Sequence, residues 1–339
     1  MSVRGENHVT KKYQVVGIGN ALVDVLANCD DSFLSDNGVE KGIMQLIDTD
    51  RAAELYGMMG PATEISGGSA ANTIAGIAAL GGRTAYVGKV KDDQLGDIFA
   101  HDMRAQGADY NVPRSPKSEI HETGRCMVLV TPDSERSLNT YLGVSEHLGP
   151  DDIDTEMMAE ADWIYLEGYR FDGSESKAAF AKAIEACKST GGKVSVTLSD
   201  PFCVDRHHQA FRDMIRDHID LLFCNEHEMA AMYPADTLDE SIAQAAERVE
   251  IVACTVGAKG AIIVRNGERT EAPAEAAKVV DVTGAGDLFA AGFLHGLVNG
   301  RDMLTCGRMG CIAAGEIISH IGARPEADLG KLFREKGLE

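Results

Sequence analysis

The run Thr283-Gly284-Ala285-Gly286-Asp287 follows the apolar KVVDV (278–282) and opens the helical stretch LFAAGFLHGLV. Glycines at a helix start let several backbone N–H groups converge on one anion, and the helix dipole adds positive potential. Asp287 stands at that mouth. A carboxylate there repels an anion unless it has another task, and accepting a proton from an attacking hydroxyl is one. The same spacing suits an N-capping aspartate after a glycine turn.

A second glycine turn leads into a helix at SGGSAANTIAGIAALGG (66–82). Gly67 and Gly68 permit close backbone approach, and Ser69 and Asn72 add polar side chains that suit a polyhydroxyl ligand or a plain helix cap. GIGNALVDVLA (17–27) places Asn20 and Asp24 just after an apolar strand. A carboxylate there accepts two sugar hydroxyls, or serves a turn. The third glycine of a dinucleotide fingerprint is missing, so a dehydrogenase is disfavoured. CNEHEMAAMY (224–233) sets Asn225 and Glu228 three apart on one helix face. That pair can hold the hydration shell of Mg²⁺, or cap the helix. TVGAKGAIIV (255–264) carries Lys259 in a glycine turn and can lie over a nucleotide, or be only a turn. No P-loop motif and no zinc spacing occur; Cys203, His207 and His208 lack a metal-ligand pattern.

These segments need a scaffold. Short apolar runs such as YQVVGIG (13–19), TAYVGKV (84–90), DWIYLEG (162–168), KVSVTLSD (193–200), IDLLFCN (219–225), IVACTVG (251–257), AIIVRNG (261–267) and KVVDV read as strands. Helical patterns alternate with them, as in KAAFAKAIEACKSTGG (177–192). That rhythm predicts an α/β fold with a mostly parallel sheet covered on both faces. Ligands of such sheets sit beyond the carboxyl ends of the strands. GRCMVLVTPDSERSLNTYLG (124–143) reads instead as a hairpin, and KGIMQLID (41–48) as an isolated strand; together they predict a small extra sheet or edge strands of the main one.

The chain has 339 residues, 53 acidic and 32 basic, for a net charge of −21. That balance disfavours nucleic acid and anionic membrane surfaces as partners. The eight cysteines form no C-x-x-C pair, which predicts free thiols in a reducing compartment. The N-terminal MSVRGENHVTKK is polar, and no apolar run reaches the about 18 residues of a membrane helix. A cytoplasmic protein is expected.

GNALVD, GGSAAN, LSDPF (198–202), IDLLFCNEHE, DVTGAGDLFAAGFL and GCIAAGEIISHIGARPE (310–326) occur in the order of the ribokinase/PfkB family of carbohydrate and nucleoside kinases. The chain resembles that family over almost its whole length, adenosine kinases above all. The resemblance implies a single three-layer α/β/α kinase domain over 1–339, with a small β-sheet lid from segments near 25–48 and 119–143. It implies Asp287 as catalytic base and the Gly284–Ala285–Gly286 backbone as the anion hole. Asn20, Asp24, Gly67, Gly68, Ser69, Asn72, Tyr169 and Arg170 fall on the acceptor side. Asn225, Thr255, Gly257, Gly260 and a helix start at Cys311 to Gly315 fall on the nucleotide side. Glu228 would hold Mg²⁺ through water, and Asp281 and Thr283 match a monovalent-cation site, potassium, of some members. Partners would be ATP and a nucleoside or sugar, in a monomer or homodimer.

One position departs from the animal-type pattern. Where an aromatic ring stacks on the base, YLEGYRF supplies Arg170 beside Tyr169. An arginine there stacks on a purine, binds a sugar acid or phosphate, or points to solvent. The activity expected first is transfer from ATP to the primary hydroxyl of a nucleoside, adenosine foremost. A sugar kinase acting on ribose, fructose or a sugar acid is the second reading. A non-catalytic nucleotide- or sugar-binding regulator on the same fold is the third.

Overall fold

A computed structural model describes residues 10–133 and 135–338; most of the polar N-terminal stretch thus lies outside the described residues. The strands are β1 (Tyr13–Ile18), β2 (Leu22–Asn28), β3 (Met44–Leu46), β4 (Thr63–Gly67), β5 (Thr84–Val87), β6 (Thr123–Val130), β7 (Arg136–Gly143), β8 (Ala161–Glu167), β9 (Lys193–Thr197), β10 (Leu221–Asn225), β11 (Ile251–Thr255), β12 (Ala261–Arg265) and β13 (Glu268–Ala272). Eight form one sheet in the order β13-β12-β11-β10-β9-β8-β1-β5. From β5 to β11 all neighbours run parallel, and β12 alone reverses against both its neighbours.

The central strands are apolar throughout because both their faces are covered. Val16 and Ile18 enter one core with Phe180, Phe211 and Met229. Val15, on the opposite face, joins Ile74, Phe99 and Phe293 in the other. Helices therefore close both sides, and the architecture is a three-layer α/β/α fold with a mostly parallel sheet and a smaller second sheet.

That second sheet runs β3-β7-β6-β2-β4. The expected hairpin is its centre, with Val130 opposite Arg136 across the β6–β7 turn. Strand β2 begins at Leu22, before the expected segment, and β4 was not foreseen. Alternation divides the sheet's faces. Met127, Leu129 and Tyr141 pack outward with Leu34 and Leu55, from the helices Asp31–Asp36 and Thr49–Met58. Asp24, Cys126, Thr140 and Leu46 form one row across β2, β6, β7 and β3, and this row faces inward. The chain passes between the two sheets four times: at 19–22, 67–69, 88–123 and 143–145.

Three local expectations are corrected. KVVDV is not a strand: 273–284 pairs with no sheet, and Val279 and Val282 are 62% and 68% exposed. Cys311 and Gly315 lie inside the helix Met303–Ile317, not at its start. Asp24 lies within β2, not at a strand's carboxyl end.

Candidate active site

A cavity of about 530 Å³ lies between the sheets. Glu167, Thr197, Asn225 and Thr255, at the carboxyl ends of β8, β9, β10 and β11, line its floor, where open α/β sheets carry their ligands. Leu22, Leu138, Leu142 and Cys126 of the small sheet roof one end. Gly257 and the 282–287 turn wall the other.

The turn begins the helix Ala285–Val298 with Gly284 at φ +79°. A Cβ there would stand 3.0 Å from that of Ala323, so glycine serves both conformation and space. The Ala285 amide donates to Val282 O at 3.2 Å and Leu288 N closes the first helical bond on Gly284 O at 2.9 Å. Among the described residues the N–H groups of Gly286 and Asp287 have no acceptor. They are free for an anion, whereas Ala285's is used by the turn.

Asp287 is half-buried in the cavity wall. Ser69 Oγ donates to its Oδ1 at 2.6 Å and Asn72 Nδ2 to its Oδ2 at 2.9 Å. Burial raises its pKa above the usual carboxylate range, and these two donors oppose the rise. Ser69 and Asn72 thus hold the carboxylate in this structure, while Asn72 Oδ1 is buried with no partner. Both stand on the first turn of the helix Ser69–Ala79, whose N-cap is Gly68 at φ +93°. A Cβ on Gly68 would lie 2.3 Å from Asn20 O, so only glycine lets the two backbones meet. Gly67 backs the Asp24 carboxylate in the same way but does not line the cavity.

Asp24 is pushed up to about 7 by burial, with Arg324 and Arg136 opposing. Among the described residues nothing donates to its carboxylate. Asn20 also lines the cavity, but its Oδ1 is taken by Ser145 Oγ and Arg170 Nη1. Tyr169 lends its ring to the wall, tied by its amide to Ser199 Oγ at 3.1 Å.

Arg170 is a correction. It neither stacks over the cavity nor points to solvent: it is 1% exposed and does not line the cavity. Four oxygens behind the wall hold its guanidinium. The Arg170 position therefore supplies no stacking group.

On the nucleotide side Asn225 and Glu228 close a reciprocal cap. Asn225 Oδ1 accepts from the amides of His227 and Glu228, and Glu228 accepts from Asn225 N at 3.0 Å and Nδ2 at 2.6 Å. Glu228 is nonetheless a cavity residue, pushed up to about 7 by burial, with Asp200 and Asp287 adding to the rise. Thr255 and Gly257 line the cavity; Gly260, Cys311 and Gly315 do not. Gly260 turns against Ala272 O, Cys311 Sγ points at Ala272 O at 3.8 Å, and Gly315 packs on Glu275.

Asp281 and Thr283 are brought together, but around a side chain. Arg136 of β7 reaches across to Asp281 Oδ2 at 2.7 Å, and its Nη1 lies 3.5 Å from Thr283 Oγ1. Both ionic groups are buried, so a guanidinium stands where a monovalent cation was expected.

Sequence reasoning missed Glu167, Asp172, Arg136 and Arg324. Glu167 had a signal, a carboxylate at the carboxyl end of an apolar strand. Arg136, in the polar turn TPDSER, had none. Six carboxylates line the cavity, Asp24, Glu167, Asp172, Glu226, Glu228 and Asp287, and no Lys or Arg lines it among the described residues, though Arg206 pairs with Asp172 at 2.7 Å. Glu226, Glu228 and Asp287 have no ion-pair partner among the described residues, and such hard oxygen donors fit Mg²⁺ arriving with phosphates. Among the described residues no three His, Cys, Asp or Glu side chains form a metal cage by themselves.

Residues 43–328 match the family model described as pfkB family carbohydrate kinase. A probable sugar kinase from Rhizobium etli superposes with TM-score 0.92 at 44% identity, over 97% of this chain and 100% of its own. An adenosine kinase from Sinorhizobium meliloti superposes with TM-score 0.90 at 45% identity, over 96% and 99%. Adenosine kinase of Saccharomyces cerevisiae is 28% identical over 333 residues, 91% of this chain and 95% of that protein.

Proposed function

The chain belongs to the pfkB family of carbohydrate kinases, and from that premise we propose that it phosphorylates the primary hydroxyl of a nucleoside, adenosine foremost. It is an ATP-dependent kinase with an alcohol acceptor, and kinases of this family use ATP with Mg²⁺. What supports a nucleoside is the acceptor end of the cavity. Asp24 offers two unpaired oxygens to vicinal hydroxyls, and beside it the roof is apolar, with Leu22, Leu138 and Leu142. A nucleoside has a polar sugar and a flat, weakly polar base to match. A free sugar would leave that roof against hydroxyls.

The chemistry follows from position. Asp24 and Asn72 hold the sugar so that its primary hydroxyl lies against Asp287. Asp287 accepts the hydroxyl proton as the acceptor oxygen bonds to the γ-phosphorus and the bond to the β–γ bridging oxygen breaks. The Gly286 and Asp287 amides face the charge spread over the transferring group. Glu228 would hold the Mg²⁺ through water, and that ion supplies charge neutralisation to the phosphates. The small sheet acts as a lid that excludes water. A potassium requirement forms no part of this proposal, since Arg136 already pairs Asp281. Eight free thiols, seven of them buried, support a reducing, cytoplasmic setting. The described residues include no helix long and apolar enough to cross a membrane.

The test is transfer from γ-labelled ATP to adenosine, other nucleosides, ribose and fructose. Highest kcat/KM for adenosine is expected. Transfer to free sugars alone overturns the nucleoside reading, and ligand binding with no product from any acceptor overturns the catalytic one.

A further inference from the structure

A guanidinium buried as deeply as that of Arg170 is costly unless its donors are met. Nη1 donates to Asn20 Oδ1 at 2.9 Å and Ser145 O at 2.5 Å, Nη2 donates to Leu148 O at 2.9 Å and Ser176 Oγ at 2.5 Å, and only Nε is left without a partner. Asn20 stands where the chain leaves the large sheet for the small one, and Ser145 where it returns. Ser145 Oγ also donates to Asn20 Oδ1 at 3.0 Å and accepts from the Ala21 amide at 3.2 Å.

Glu167 is the carboxylate that most favours the charge on Arg170. It is itself 1% exposed, and its two oxygens accept from Asn20 N at 3.1 Å and Ala70 N at 2.8 Å. Ala70 belongs to the helix turn that receives the chain after β4. Three of the four passages between the sheets therefore end on Arg170 or Glu167, two buried ionisable groups bridged by Asn20, whose amide meets Glu167 and whose Oδ1 meets Arg170. Neither member bonds to Asp287, Asn225 or Glu228.

We propose that Arg170 and Glu167 form a hinge clamp that sets the small sheet over the large one and thereby positions the acceptor for Asp287. The clamp rests on the kinase reading above, but its seat is visible without it. Arg170 is a positioning residue: its planar fork reaches both Asn20 and Ser145, which a lysine's single ammonium does not reproduce. Slack at these passages moves Asp24 and the roof together relative to the floor. The nucleotide end, built on β10, β11 and the 282–287 turn, stays in place.

The experiment compares Arg170→Met and Arg170→Lys with wild type. Acceptor KM is expected to rise about tenfold or more in Arg170→Met while ATP KM stays within about twofold, because small misplacements at the acceptor are costly. Acceptor-free ATP hydrolysis should take a larger share of turnover, and Arg170→Lys should fall between. Hydrogen exchange should quicken in 22–28 and 136–143 but not in 221–225 or 251–255. If Arg170→Met does not fold, Ser145→Ala and Arg170→Lys carry the same readouts. Lower heat stability with acceptor KM and the exchange pattern unchanged overturns the clamp, as does an equal loss for both substrates. The exchange pattern needs no activity, so a wild-type chain without transfer fails the kinase reading alone.

Discussion

At the acceptor end of the cavity, most wall residues stand on strands or on the first turn of a helix, and charged side chains hold the elements that carry them. Arg324 donates to Ala71 O at 2.7 Å and Ser66 Oγ at 3.1 Å, Thr123 is fixed by Asp93, and Arg170 joins Asn20 to Ser145. At the nucleotide end the wall beyond Asn225, Glu228 and Thr255 is Gly257, in a turn, and the 282–284 end of the unpaired segment, with Val282 largely exposed. On the proposed assignment the acceptor is chosen by a built surface, and the nucleotide by backbone amides and the ions it brings. Such a division suits a kinase whose donor is held by its charged phosphates and whose acceptor must be told from other alcohols.

Asp287 lies where the two ends meet, and changing it should have the largest effect. Asp287→Asn removes the proton acceptor but leaves the Gly286 amide and Glu228 untouched. Turnover should fall about 10²–10⁴-fold, the worth of general-base catalysis, with ATP affinity by titration nearly unchanged. Near-normal turnover would sink the assignment of the base.

A paired substitution sharpens the contrast between the ends. Leu138→Asn puts a polar group into the roof and should raise nucleoside KM about tenfold, leaving ATP KM alone. Val282→Asn, on the exposed wall, should change either KM by less than about twofold. Equal effects from the two would show that the roof does not select the acceptor.

Acidity gives a smaller effect with a definite sign. Burial pushes Asp24 and Glu228 up to about 7. In their proposed roles both are needed ionised, Asp24 to accept hydroxyls and Glu228 to hold water on the metal. Activity should therefore rise severalfold between about pH 6 and about pH 8 as their protons leave. Stability runs the other way. A carboxyl raised above its unfolded value makes the folded form bind more protons, so its contribution is full below the ordinary carboxylate range and is lost as pH rises to about 7. Asp24→Asn deletes one such group, so the Tm difference between variant and wild type should grow from about pH 5 to about pH 8, in the variant's favour. A constant difference would place Asp24 outside this titration.

The same division explains what was legible in the sequence. Continuous apolar runs such as YQVVGI and LLFCN read correctly because burial on both faces leaves no polar position to confuse. Edge strands TEISG and ERTEA escaped because their outward positions are polar or charged rather than apolar. KVVDV misled for the opposite reason: three valines suggested a strand, yet the segment pairs with none. Gly284, Gly68 and Asp287 were legible since a turn opening a helix is a local pattern. The direction of Arg170 was not, because it depends on Ser145 and Ser176, whose approach is set by the packing of the sheets.

One side chain crosses between the ends. Arg136, on β7, pairs with Asp281 in the segment before the anion-binding turn, and Asp281 Oδ1 accepts the Thr283 amide at 3.0 Å. A potassium ion at these oxygens would have to displace a guanidinium already 2.7 Å away. Replacing potassium with choline at equal ionic strength should then alter kcat by less than about twofold, since the site's charge is already met. Arg136→Met leaves Asp281 buried without its cation, and in that variant potassium should stimulate turnover severalfold. A wild-type enzyme strongly activated by potassium would mean that Arg136 leaves Asp281 during the reaction. The small sheet and the 273–284 segment would then move independently, and the acceptor end would have no ionic hold on the nucleotide end.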